Sequence, residues 1–196
     1  AFCAVRPPGH HAEPQTPMGF CLFNNVAVGA LYAREKYGLT KAAVIDFDVH
    51  HGNGTQAMFE ADENLFYAST HQSPLYPGTG DASETGVGNI VNVPLRQGAD
   101  GTEFRAAYEK VILPALRAFD PDFLFISAGF DGHTEDPLAG LNLTEPDYVW
   151  VTKELMGVAQ NACDGRIVST LEGGYDLGAL ARSTSAHVAT LMGTDV

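Results

Sequence analysis

The segment from Ala42 to Gly54 constrains this chain more than any other. It begins apolar, Ala42-Ala43-Val44-Ile45, then alternates acid or imidazole with bulk in Asp46-Phe47-Asp48-Val49-His50, and ends in His51-Gly52-Asn53-Gly54. As a strand over Ala42 to Val49 running into a glycine turn, it sends Asp46, Asp48 and His50 to one face. Phe47 and Val49 go to the other. Two carboxylates and an imidazole gathered at a strand's C-terminal end repel or lose solvation unless a cation joins them. A divalent metal is the simplest one.

Strand-like and helix-like segments alternate along the rest of the chain. Asn25 to Tyr37 is helical, with Val26, Ala30 and Ala33 spaced for one face and Gly38 closing it. Thr55 to Glu60 is a short helix, Leu65 to Ser69 and Asn89 to Val93 are strands, and Thr102 to Phe119 is a helix interrupted at Pro114. Phe123 to Ser127 is almost wholly apolar, as a strand buried on both faces should be. Helix Pro146 to Ala162 starts near Thr144, strand Arg166 to Leu171 follows, and Leu177 to Met192 is a last helix. Such alternation predicts an α/β fold, a mainly parallel sheet flanked by helices. Ligands of open parallel sheets bind beyond the carboxyl ends of the strands, where each polar cluster of this chain falls.

With 196 residues, of which 45% are hydrophobic, the chain is long enough for one domain with a real core, residues 1–196. No apolar run reaches the ~20 residues of a membrane span. A net charge of −13 argues against nonspecific nucleic-acid binding. Cys3, Cys21 and Cys163 are too few and too scattered for a disulfide framework or a four-cysteine zinc site. Free thiols and a cytoplasmic location are the expectation. The N-terminus has no signal-peptide pattern; it lacks an initiator Met and opens in what reads as mid-strand, so upstream sequence is expected.

Four further clusters bear on chemistry. Asp131, in Ser127-Ala128-Gly129-Phe130-Asp131-Gly132-His133, reads as a turn residue after a strand or as a metal ligand from a neighbouring one. His10 and His11, in Arg6-Pro7-Pro8-Gly9-His10-His11, read as a surface pair or as a proton-handling pair. Tyr175, in Leu171-Glu172-Gly173-Gly174-Tyr175, follows a strand-to-helix turn and reads as a donor to an oxyanion. Phe20 and Tyr76 are either core or the walls of an apolar slot.

Together these motifs resemble the histone deacetylase superfamily. Pro8-Gly9-His10-His11, Gly19-Phe20-Cys21, Asp46-x-Asp48-x-His50-His51-Gly52, Pro77-Gly78-Thr79-Gly80, Gly129-x-Asp131 and Gly173-Gly174-Tyr175 follow one another in that family's order. Asn53 and the Leu171-Glu172-Gly173-Gly174-Tyr175 ending are similar to its class II branch and bacterial relatives. The resemblance implies an arginase/deacetylase-like three-layer fold and a catalytic domain lacking its usual N-terminal portion. It implies that Asp48, His50 and Asp131 bind Zn²⁺, a donor set that would accept Fe²⁺ as well. His10 and His11 would move protons, oriented by Asp46 and Asn53, and Tyr175 would bind the substrate carbonyl. Gly19, Phe20, Tyr76 and Leu138 would hold an acyl-lysine stem. A structural K⁺ or Na⁺ would lie by Asp46, Asp48, His50, Ser69 and Thr70, and a second by Phe59, Asp62 and Leu65.

The function so implied is zinc-dependent hydrolysis of acetyl (acyl) groups from lysine side chains, releasing acetate. The alternatives are an acetylpolyamine or small acylated-amine deacetylase and an inactive truncated fragment. The implied partners are an acetylated lysine or amine substrate, with no direct nucleic acid and no membrane. An apolar surface left by a missing upstream segment would favour an oligomer. Asn53 stands where many class I members carry Asp. A neutral acceptor stabilises imidazolium less than a carboxylate does, so His11 is expected to be neutral near pH 7.

Overall fold

The computed structural model describes residues 1–194. Six strands, β1 (Phe2–Cys3), β2 (Ala42–Asp46), β3 (Leu65–Gln72), β4 (Ile90–Leu95), β5 (Phe123–Ala128) and β6 (Ile167–Leu171), form one sheet. Its order is β1-β6-β5-β2-β3-β4, and every pairing is parallel. Helices α1 (Asn25–Tyr37) and α2 (Asn53–Phe59) cover one face. The other face carries α3 (Gly101–Ala107), α4 (Leu113–Phe119) and α5 (Glu145–Cys163), with α6 (Leu177–Leu191) packed on α5. The three-layer α/β arrangement is the one expected.

The helix ends follow local chemistry. Asn24 Oδ1 accepts from Ala27 N at 3.0 Å to start α1, and Gly38 ends it at φ 66°. Asp147 accepts from Thr144 N at 3.0 Å in the capping box of α5, and Asp176 caps α6 through Ala179 N at 2.8 Å. α1 buries Val26, Ala27, Ala30 and Ala33 as its spacing predicts, yet Val28, Leu31, Tyr32 and Tyr37 stand exposed on its far side. No helix among the described residues is long and apolar enough to cross a membrane.

Two expected elements differ. The helix over Thr102–Phe119 is not simply kinked at Pro114. A π-helical turn, Tyr108–Ile112, separates α3 from α4, and Pro114 sits in the first turn of α4. Proline can donate to no carbonyl and crowds the turn before it, so widening that turn by one residue accommodates the ring without breaking the rod. The strand expected over Ala42–Val49 ends at Asp46. Asp46 Oδ1 accepts from Asp48 N at 3.1 Å, and Asp48 Oδ1 accepts from His50 N at 2.9 Å. These two successive side-chain turns pull the backbone out of the ladder.

Candidate active site

β2 and β5 are neighbours, but β2 continues through α2 on one face and β5 through α5 on the other. Their carboxyl ends therefore open a crevice where parallel sheets take ligands. Asp48 and His50 lie on the loop leaving β2, and Asp131 lies on the loop leaving β5. One donor atom from each falls within 4.8 Å of the others. His50 Nδ1 is 3.0 Å from Asp48 Oδ1 and 3.1 Å from Asp131 Oδ2. The bend after Asp46, and not strand alternation, brings Asp48 and His50 together.

Glycines back this cluster. Gly173 N donates to Asp48 Oδ2 at 2.8 Å, and a Cβ on Gly173 would lie 2.6 Å from that oxygen and closer still to Asp131 Oδ2. Burial works against charge on Asp48, but His10 and the hydrogen bonds from His50 outweigh it and hold the carboxyl well below its usual range. Burial and then the charge of Asp48 push Asp131 upward. Burial also opposes charge on His50, yet hydrogen bonds to Asp131 and Asp48 raise its pKa to about 10. Two carboxylates thus converge with one imidazole nitrogen at one point, where positive charge is favoured. That donor set, two carboxylates and one imidazole, fits a divalent cation.

The histidine pair lies beside the cluster, its ring centroids 4.1 Å apart. His10 Nδ1 is 2.9 Å from Asp46 Oδ2 and its Nε2 is 3.8 Å from Asp48 Oδ1. Burial opposes its charge, but Asp46 and Asp48 raise its pKa well above the usual value. His11 differs. Asn53 Nδ2 donates to Glu13 Oε1 at 2.8 Å, so the amide oxygen must face His11 Nδ1, 2.9 Å away. Nδ1 therefore carries the hydrogen, and Nε2 keeps a free lone pair. Burial first, and the charge of His10 second, lower the His11 pKa to about 3. The direction agrees with a neutral His11 near pH 7, although burial and His10 cause it, while the Asn53 hydrogen bond by itself acts the other way.

A slot of about 450 Å³ opens over these groups, lined by His11, Gly19, Phe20, His50, Leu75, Tyr76, Leu138 and Tyr175. The four expected stem contacts are thus assembled, and Leu75 joins them. Gly19 packs on the His11 ring so closely that a Cβ would lie 2.6 Å from His11 Cγ; its φ is +55° and that of Phe20 is 65°. Tyr76 stands edge-on to His11 with ring centroids 5.1 Å apart, and Phe20 meets Tyr175 at 6.2 Å. Burial, then Asp131 and Asp48, raise the Tyr175 pKa, so its hydroxyl stays protonated and able to donate.

A model of the histone deacetylase domain matches residues 1–191. The chain belongs to the histone deacetylase family. It is 44% identical over 198 residues to histone deacetylase 14, chloroplastic, of Arabidopsis thaliana, covering 99% of this chain and 47% of that protein. It is 46% identical over 196 residues to histone deacetylase 10, chloroplastic, of Oryza sativa subsp. japonica, covering 98% and 44%. The crystal structure of the HDA15 HD domain superposes with a TM-score of 0.93 at 43% identity, covering 98% of this chain and 55% of that one. The chain therefore spans about half the length of the relatives it matches.

The two monovalent sites that a histone deacetylase resemblance implies fare differently. At the first, Asp46 and Ser69 are register partners on β2 and β3, and the buried Thr70 Oγ1 has no hydrogen-bond partner. At the second, the carbonyls of Phe59, Asp62 and Leu65 converge, but on the side chain of Asn89, whose Nδ2 lies 2.8, 3.0 and 2.5 Å from them. That expectation is corrected: an amide nitrogen stands where an ion would need to stand.

Other residues had escaped the sequence reading. Glu172, fully buried, accepts from Gly9 N at 2.7 Å, from His10 N at 3.1 Å and from Ser127 Oγ at 2.9 Å. Asp136 accepts from Tyr175 N at 2.7 Å, Asp176 N at 3.3 Å and Leu138 N at 3.0 Å, tying a wall of the slot to the tyrosine. An acid shortly after an apolar strand and beside glycine is the signal that marked Asp131, and Glu172, directly after β6 and before Gly173-Gly174, carries it too. His51 turns away from the slot, toward Thr79 Oγ1 at 2.7 Å and Gln56 Oε1 at 2.9 Å.

Proposed function

We propose that this chain carries the hydrolytic centre of a metal-dependent deacetylase that removes acetyl or related acyl groups from lysine side chains. The observation that carries the reading is the fixed tautomer of His11, which leaves Nε2 as the ring's acceptor on a residue that lines an apolar slot beside the Asp48, His50 and Asp131 cluster. Zn²⁺, or Fe²⁺ on the same donors, would supply Lewis acidity toward the acyl carbonyl and the attacking water. The side chains do the rest. His11 Nε2 takes a proton from water as it attacks the carbonyl carbon. The Tyr175 hydroxyl donates to the oxygen on which negative charge develops. His11, beside the cationic His10, returns its proton to the leaving amine as the amide C–N bond breaks, giving free amine and acetate. The slot is apolar and open at one end, which suits the methylene stem of an acyl-lysine.

The test is turnover of an acetyl-lysine peptide and of an acetylated polyamine by the full-length protein, before and after chelation and metal return. Activity that vanishes with chelator and returns with metal supports the reading; preference for the polyamine would move the substrate class. Tyr175→Phe should cost on the order of 10²–10³ in kcat through loss of one oxyanion donor. Full turnover in that variant, or stoichiometric metal in Asp131→Ala, would refute the assigned roles.

A further inference from the structure

We propose that Glu172 is a positioning residue for the reaction: its carboxylate clamps the Gly9-His10-His11 loop to β5 and so fixes where His11 Nε2 stands. This inference rests on the proposed deacetylase reading. Glu172 does not line the slot, and the hydrogen bonds of its side chain go to Gly9, His10 and Ser127 and not to the three cluster residues. Oε2 receives two successive backbone amides, Gly9 N and His10 N, and Oε1 receives the Ser127 hydroxyl from the end of β5. Those amides begin the loop that carries both histidines, 162 and 163 residues away in sequence.

Other contacts hold the same loop: His10 Nδ1 lies 2.9 Å from Asp46 Oδ2, and Asn25 Nδ2 donates to Pro7 O at 3.3 Å. Thr55 N donates to His10 O at 3.1 Å from the α2 side, and Ala12 N closes a turn on Gly9 O at 3.0 Å. Gly54 allows that approach, since a Cβ there would lie 2.7 Å from His11 C and closer to Ala12. The loop is therefore held between α2 and Glu172. Without the carboxylate, two buried amides lose their acceptor and the loop is free to shift toward the space it leaves. A displacement of about 1 Å at a catalytic group costs on the order of 10²-fold in rate. Burial raises the Glu172 pKa to about 7, and the geometry serves either protonation state, because the Ser127 hydroxyl can donate to Oε1 or accept from it. Glutamine should consequently keep all three contacts, with its oxygen toward the amides and its NH₂ toward Ser127.

The experiment compares full-length wild type, Glu172→Gln and Glu172→Ala by steady-state kinetics on an acetyl-lysine peptide, by metal content, and by hydrogen exchange at Gly9 and His10. Glu172→Ala should lose about 10²-fold in kcat with KM and metal content unchanged. Its Gly9 and His10 amides should exchange faster. Glu172→Gln should restore both rate and protection, which a general loss of folding would not permit. If Glu172→Ala does not fold, Glu172→Asp takes its place, because the shorter side chain withdraws the acceptor from the two amides. Wild-type kcat in the alanine or aspartate variant would overturn the proposal, as would equal damage in Glu172→Gln, or fast exchange of both amides in wild type. Protected amides that respond to these substitutions, in a protein that hydrolyses no acyl substrate, would leave the clamp standing and remove the deacetylase reading.

Discussion

A single amide group decides how His11 is used. Glu13 accepts only, so Asn53 must turn its NH₂ toward Glu13 and its oxygen toward His11, and this one orientation sets the tautomer of the proposed base. A carboxylate at position 53 would hold a second proton on the imidazole. Asn53→Asp, made with Glu13→Gln so that two carboxylates do not face each other, should therefore raise the His11 pKa from its lowered value of about 3. The base must be neutral, so the acid limb of the kcat/KM profile should move to higher pH. An unmoved limb would show that Asn53 does not govern the protonation of His11. Residues of this kind were readable from sequence where chemistry alone singled them out. Asp48, His50 and Asp131 carry donor atoms that have no bland use in concert. Glu172 and Asp136 were missed because their work is done on backbone amides of distant loops, and no spacing in the chain records which amides those are.

At the scale of elements, apolar runs and caps were legible. The helix over Asn25–Tyr37 has its expected bounds, and β5 reads directly from Phe123 to Ser127 with one residue added. What could not be read was tertiary: the π turn before Pro114 and the side-chain turns that end β2. Asn89 is another such case, a turn residue just before β4 that joins the end of α2 to the start of β3 by filling a ring of three carbonyls. An NH₂ group has only two hydrogens, so it satisfies the third carbonyl poorly. Asn89→Ala should destabilise the protein by about 1–3 kcal/mol through lost hydrogen bonds to buried carbonyls. It should also leave those carbonyls open to K⁺, so the Tm gap between variant and wild type should be smaller in potassium than in tetramethylammonium chloride. A gap that is the same in both salts would mean that the three carbonyls do not form a cation cage once the amide is gone.

Across the whole molecule, the sheet is flanked by two separate apolar cores, and buried imidazoles lie in and around them. His187 on α6 is fully buried, 2.7 Å from Thr152 Oγ1 on α5 and 2.8 Å from Ser169 Oγ on β6, so it ties two helices to the sheet. Burial lowers its pKa to about 4, and burial likewise lowers that of His71 to about 4. Such a group binds fewer protons folded than unfolded between about pH 4 and its unfolded value of about 6.5. Its stabilising contribution is full above about pH 6.5 and is lost as pH falls toward 4. Glu172, raised to about 7, works with the opposite sign over part of that range, so a difference between proteins is the cleaner measure. The urea midpoint of wild type should exceed that of His187→Gln near pH 7, and the excess should shrink as pH falls to 4. Parallel curves would remove His187 from the acid response.

The slot has a floor and walls of different kinds. Its floor hangs from β2, β5 and β6, strands with neighbours on both sides, and is hemmed in by glycines that tolerate no side chain. Its walls, Phe20, Tyr76 and Leu138, are 73%, 46% and 48% exposed and stand on coil. Substitutions at the walls remove little buried surface, whereas substitutions at the floor disturb the best-protected part of the sheet. On the proposed deacetylase reading, the acyl chain admitted should therefore be easier to change at these three positions than the hydrolytic centre beneath them.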